Sequence, residues 1–85
     1  MVTYEREVRG IPLWLLREYL VAEGGEVDAD GRIAGAGWTA QLTQLEDYQI
    51  GSLRVGQVRV EIEGEAGPMA ELEQVMEKKL IRGGG

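Results

Sequence analysis

The sequence predicts an α+β domain, in which one twisted antiparallel sheet carries two helices on the same face. From Val58 to Glu63, apolar and charged residues alternate strictly, which is typical of a strand with one buried and one solvated face. Two segments, residues 12–23 and 68–82, place apolar residues at helical spacing and need such a buried face. The length of 85 residues allows one modest core. We therefore expect a single domain over residues 1–82, followed by a glycine tail at residues 83–85.

The chain begins with a predicted strand at Val2–Arg9, followed by the first helix. Apolar residues at every second position define the inner face of this strand, namely Val2, Tyr4 and Val8. Arg6 interrupts that face. Pro12 suits the first turn of a helix, and Gly24-Gly25 suits the end of one. These signals predict the first helix over residues 12–23.

Trp14 lies off the apolar stripe of the first helix, near Val21 and between Arg17 and Glu18 on the helix surface. One interpretation is that its ring covers the chain termini or a neighbouring loop. The other is that it anchors a protein interface, because tryptophan is over-represented among binding hot spots.

The middle of the chain contains turn signals between short apolar segments. Asp28-Ala29-Asp30-Gly31 predicts a hairpin turn between residues 26–28 and 32–34. The same string resembles the start of a calcium-binding loop, but Thr39 stands where that loop requires a glutamate, so the turn is favoured. Gly35-Ala36-Gly37 predicts a bulge or a tight bend.

Further strand segments fill the rest of this region. A strand that starts at Trp38 is predicted to end or bulge at Gln44-Leu45, where its alternation slips. Residues 50–55 and 57–63 follow, and Gly56 between them is either a hairpin turn or a bulge inside one long strand. The order is thus strand, helix, three or four strands, helix, which favours the β-α-β4-α helix-grip arrangement of TATA-box-binding-protein-like folds. A truncated ferredoxin-like sandwich is the alternative.

The sheet face opposite the helices is predicted to be polar. It would carry Thr39, Gln41, Arg59, Glu61 and Glu63. Arg59, Glu61 and Glu63 occupy the solvated side of the most regular strand, and together with Trp14 they are our candidate residues for a protein interface. An ordinary solvated surface is the alternative interpretation of the charged side chains.

The composition excludes several classes of function. Histidine and cysteine are absent, so a typical zinc site, a Cys–His pair and a Ser–His–Asp triad are excluded. A net charge of −6 disfavours nucleic acid and anionic membranes as partners. No segment matches a membrane span or a signal peptide, and the lack of cysteine suits a reducing cytoplasm. The sequence thus predicts no catalytic residue, metal or cofactor, and a protein or small-molecule partner remains.

The last residues, Arg82-Gly83-Gly84-Gly85, resemble the glycine tails of ubiquitin and of the sulfur carriers MoaD and ThiS. The resemblance implies adenylation of the terminal carboxylate of Gly85, for which an extended tail without side chains is needed. The alternative is that Gly83 adopts a left-handed conformation and ends the second helix.

Several segments are similar to a small uncharacterised domain at the C-terminus of MoaD-related proteins, where it follows a β-grasp sulfur-carrier domain. These segments are Pro12–Leu16, Tyr19-Leu20, Gly24-Gly25, Gly51–Leu53, Gln57–Glu65 and Arg82–Gly85. The resemblance implies a β-α-β4-α fold and a link to MoaD-type sulfur carriers and molybdopterin metabolism. It supplies no catalytic residues.

Three functions follow from these observations. The first is a non-enzymatic accessory or interaction domain that binds a protein partner or a second copy of itself. The resemblance implies a MoaD- or ThiS-type carrier, or the enzyme that activates it, as that partner. The second is a carrier activated at Gly85. The third is a ligand-binding or enzymatic pocket between the sheet and the first helix, for which the small core leaves little room.

Overall fold

A computed structural model describes the backbone of residues 1–84 and the side chains of residues 1–80. The elements are β1 (Val2–Arg9), α1 (Leu13–Ala22), β2 (Glu26–Val27), β3 (Ile33–Gly35), β4 (Trp38–Gln44), β5 (Tyr48–Ile50), β6 (Leu53–Val55), β7 (Gln57–Gly64) and α2 (Ala66–Gly84). Five strands form one sheet in the order β1-β7-β4-β3-β2, and β5 and β6 form a separate two-stranded ribbon. All described strand pairings are antiparallel, which confirms the α+β class. The helix-grip arrangement stays a prediction.

The most regular strand of the sequence is an interior strand of the sheet. β7 lies between β1 and β4, so that Ile62 pairs with Tyr4 on one side and with Ala40 on the other. The inner side chains of these strands are buried together with those of both helices. The buried set includes Val8, Val58, Val60, Leu16, Leu20, Met69, Leu72 and Met76. Both helices therefore cover the same face of the sheet, as predicted.

Trp38 fills one end of this core, and glycines make room for it. Its side chain is 6% exposed. A Cβ atom at Gly35 would collide with the indole ring, and one at Gly64 would collide with the carbonyl oxygen of Gly37 and lie 2.7 Å from Cα of Trp38. Packing around this tryptophan thus depends on residues without side chains.

The turn predicted at residues 28–31 is confirmed. The Oδ1 atom of Asp28 accepts hydrogen bonds of 2.9 Å from the backbone N–H groups of Asp30 and Arg32. Gly31 has a φ of 84°, which favours glycine. The Asp28 carboxylate therefore stabilises the β2–β3 turn through the backbone.

The prediction that residues 50–55 form a strand of the main sheet is wrong. They belong to the β5–β6 ribbon, where Gly51 and Ser52 form the turn and Gly51 has a φ of 58°. A glycine with positive φ at the first central position suits a two-residue hairpin, and the alternation of apolar residues says nothing about which sheet a strand joins. Six strands thus separate the helices, against the predicted three or four. Gly56 is neither a turn nor a bulge but the link between β6 and β7.

The second helix is longer than the sequence predicts. Its backbone continues through Gly84, beyond the expected end at Arg82. Gly83 therefore lies inside the helix, and the predicted left-handed cap at Gly83 is wrong. Glycine is a weak helix former, which is why the sequence favoured an earlier end. Gly85, the residue expected to be activated, lies outside the described residues.

Candidate interaction surfaces

The open face of the sheet presents charged residues on two neighbouring strands, β1 and β7. Glu61 on β7 lies opposite Glu5 on β1, and Arg59 lies opposite Glu7. The Arg59 guanidinium donates a hydrogen bond of 3.2 Å to the Glu7 carboxylate. Glu63 is exposed and faces Thr3. The face therefore contains one ion pair and one pair of like charges.

The predicted interface residues fall into two separate places. Arg59, Glu61 and Glu63 line the open face, beside a solvent-open depression of about 240 Å³ to which Glu61, Glu63 and Arg32 contribute. Trp14 projects from α1, which covers the other face of the sheet, and 61% of its surface is exposed. The structure therefore does not bring these predicted residues together in one site.

A second exposed apolar feature lies on the β5–β6 ribbon. Ile50 and Leu53 pair with each other beside the turn and are 57% and 67% exposed. Large apolar side chains exposed together are characteristic of contact sites. An isolated two-stranded ribbon has little stability of its own, so contacts at its base must hold it in position.

The base of the ribbon is fixed next to the start of α1. The Arg9 guanidinium lies 3.7 Å from the centre of the Tyr48 ring. Val55 lines a shallow depression together with Gly10 and Pro12, which connect β1 to α1. The base of the ribbon therefore lies next to the start of α1. We refer to three exposed residues together as the apolar end, namely Trp14 in the first turn of α1 and Ile50 and Leu53 beside the turn of the ribbon.

A cluster of polar side chains joins β1 to α2. The Tyr4 hydroxyl donates a hydrogen bond of 2.7 Å to Oε1 of Glu77, and Arg6 donates one of 3.0 Å to the same oxygen. The Arg6 guanidinium also lies 4.6 Å from the centre of the Tyr4 ring. Burial, followed by the hydrogen bond to Glu77, raises the pKa of Tyr4 far above its usual range.

This cluster explains why Arg6 interrupts the apolar pattern of β1. Its charged group lies at the rim of the core, where an acidic residue of α2 accepts its hydrogen bond. Helical spacing places Glu77 away from the apolar stripe of α2, so the pattern alone did not predict this contact. The charged Arg6 at an inward position of β1 was the sequence signal that an acidic partner should lie nearby.

The described residues offer few groups for chemistry. Within that part of the chain, no three acidic side chains converge in an arrangement that could hold a metal ion. Over the same residues, no helix is long and apolar enough to cross a membrane. The features that stand out are the two surfaces, namely the charged open face and the apolar end.

Comparison with known proteins assigns the chain to a family. No curated protein matches the chain. Residues 4–85 match the family described as archaeal MoaD-like protein. The match covers nearly the whole chain, including every strand and both helices apart from the first residues of β1. The chain therefore belongs to the archaeal MoaD-like protein family.

Proposed function

We propose that this domain is a non-enzymatic interaction module that binds a MoaD-type sulfur-carrier protein through its apolar end. Family membership supports the link to MoaD-type carriers. The observation that carries the proposal is the exposure of Ile50 and Leu53 on a ribbon outside the main sheet. The context that we propose is sulfur transfer in molybdopterin metabolism.

The physical basis is the burial of apolar surface on association. Exposed Ile50 and Leu53 contribute nothing to the core, whereas burial against a partner contributes about 25 cal/mol for each Å² removed from water. We propose Trp14, in the first turn of α1, as an aromatic anchor of the same surface, because aromatic residues in the centre of an interface dominate its energetics. The ribbon and the first turn of α1 would thus form one contact surface.

Calorimetric titration with a purified MoaD-type carrier tests this proposal. Both the double variant Ile50→Ser/Leu53→Ser and the variant Trp14→Ala should raise the Kd at least about tenfold, which corresponds to about 1.4 kcal/mol. The matched control is Val27→Ser, because Val27 is 43% exposed on β2, an edge strand far from β1 in the sheet order. The control should bind as the parent chain does.

Two results would contradict the proposal. One is the absence of any complex between the parent chain and the carrier at concentrations near 100 μM, where weak specific contacts are still detectable. The other is an unchanged Kd for both apolar-end variants.

The second candidate function is a carrier activated at Gly85. The family assignment and the run of glycines at residues 83–85 support it. Gly83 and Gly84 belong to α2, so activation would require the last turn of the helix to unwind, which costs little because glycine is a weak helix former.

Intact-mass spectrometry distinguishes the two candidates. The chain is incubated with ATP and a carrier-activating enzyme, alongside a MoaD-type carrier as positive control. An interaction module should retain its mass while the control is adenylated. An adenylate on the carboxylate of Gly85 would favour the carrier.

A further inference from the structure

Within residues 1–84 no strand pairs with the outer edge of β1, and the hydrogen bonds nearby show which of its residues face outward. The N–H of Gly10 donates to the carbonyl of Gly56 across 3.0 Å, in register with the β1–β7 pairs. In an antiparallel pair, every second residue bonds to the partner strand. Residues 2, 4, 6 and 8 therefore bond to β7. The backbone groups of the other residues point outward, namely those of Thr3, Glu5, Glu7 and Arg9.

The hydrogen bonds on the other side of β7 agree with this assignment. The N–H of Leu45 donates to the carbonyl of Gln57, and the N–H of Glu65 donates to the carbonyl of Gly37. The odd-numbered residues of β7 therefore bond to β4, which leaves its even-numbered residues for β1.

The outward backbone groups form a template for another strand. In the described part of the chain, their one protein partner is Arg6, which donates a hydrogen bond of 2.9 Å to the Glu5 carbonyl. The carbonyl oxygen of Glu5 keeps a second lone pair. All four outward residues are exposed. Sheet edges of this kind bind extended peptides through main-chain hydrogen bonds.

The charges beside the edge indicate which kind of strand it accepts. Side chains of the outward residues lie on the open face, where Glu5 and Glu7 flank the edge. Glu7 already accepts a hydrogen bond from Arg59, whereas Glu5 lies directly opposite Glu61. Like charges in opposite positions destabilise a sheet. A basic residue on an added strand beside Glu5 would offset this repulsion, and the net charge of −6 favours a basic partner at long range.

A second copy of the chain does not fit the edge. Two β1 strands could pair over most of their length in antiparallel registers centred on Glu5 or on Arg6. The first register places Glu5 opposite its own copy, and the second places Arg6 opposite its copy and Glu5 opposite Glu7. Both registers bring like charges together, which disfavours self-association at this edge.

We propose that β1 binds an extended protein segment as a sixth strand of the sheet, with Lys or Arg at alternate positions facing Glu5 and Glu7. This inference goes beyond the proposed function, because it concerns the sheet edge and not the apolar end. The two sites share no residue, so either proposal can be wrong while the other is right.

Amide hydrogen exchange of the whole chain, measured by NMR, tests the inference. The probe is the capped peptide Thr-Lys-Val-Lys-Val-Lys-Thr, and its control carries Glu in place of each Lys. In the free chain, outward amides such as those of Glu5 and Glu7 should exchange fast, while the Tyr4 and Val8 amides are protected. The lysine peptide should slow exchange of the outward amides at least about tenfold, and the glutamate peptide should leave it unchanged.

Two variants test separately how the acidic side chains and the backbone N–H groups contribute to peptide binding. Glu5→Gln/Glu7→Gln should weaken binding of the lysine peptide at least about tenfold at low salt. Thr3→Pro removes one outward N–H and leaves the bonds to β7 intact, so it should also weaken binding. Unchanged exchange of the outward amides, equal protection by both peptides, or binding that both variants leave unaltered would overturn the inference. Unaltered carrier binding by Glu5→Gln/Glu7→Gln is expected, because that contact uses the apolar end.

Discussion

Gly64 shows how single residues set the geometry of this domain. A methyl group at this position would meet the carbonyl oxygen of Gly37 and the backbone of Trp38, neither of which can rotate away. We expect Gly64→Ala to lower the free energy of unfolding by about 2–3 kcal/mol, the cost of overpacking a rigid site. Urea denaturation measures this change.

The control for this prediction is Gly67→Ala. Gly67 lies in the first turn of α2, and an added Cβ would meet no atom within 4 Å. This variant should be as stable as the parent chain or slightly more stable, because alanine favours helix. Equal losses in both variants would refute the packing argument at Gly64.

Tyr4 couples the stability of the domain to alkaline pH. Its burial and its hydrogen bond to Glu77 raise its pKa above the ordinary value of 10.0. A raised pKa means that the stabilisation is complete below pH 10 and is lost as the pH rises toward the folded-state pKa. Tyr4→Phe should cost about 1 kcal/mol at pH 7, the net value of one hydrogen bond.

The difference in unfolding free energy between the parent chain and Tyr4→Phe, followed from pH 7 to pH 11, tests this account. The difference should shrink above pH 10, because Tyr4 then ionises in the unfolded chain while it is still protonated in the folded domain. Tyr48→Phe is the control, since Tyr48 forms its contact with Arg9 through the ring face. A difference that stays constant up to pH 11 would contradict the assigned role of the hydroxyl.

At the level of the strands, the opposed carboxylates of Glu5 and Glu61 should destabilise the β1–β7 pair. Residues at these positions do not exchange hydrogen bonds, so their side chains lie close together. Glu61→Gln should raise the free energy of unfolding by about 0.2–1 kcal/mol at low salt. Glu63→Gln should change it less, because Glu63 faces Thr3. Equal effects of the two substitutions on the urea midpoint would argue against this pairing.

The sequence predicted most elements because their patterns have a clear period. Alternation defined β1, β4 and β7, and helical spacing defined α1 and α2, each to within a few residues. Alternation also marked residues 50–55 as extended, but it could not show that they form a ribbon outside the sheet. The Gly51-Ser52 pair between two short apolar segments was the unused signal for that hairpin.

Across the whole molecule, the sequence located the candidate surfaces only in part. Period two placed Glu61 and Glu63 on the solvated face, and helical spacing placed Trp14 away from the core. The nearness of the ribbon to the start of α1, and the contact of Glu77 with Tyr4 and Arg6, depend on tertiary packing between distant segments. A one-dimensional pattern holds no information about such contacts.

The central claim is that the apolar end binds a MoaD-type carrier. NMR chemical-shift mapping of the isotope-labelled chain, titrated with unlabelled carrier, tests this claim most directly. We predict that the largest amide shifts fall in residues 48–55 and in the first turn of α1, around Trp14. Shifts concentrated on the open face at Arg59, Glu61 and Glu63, or no shifts at all, would contradict it.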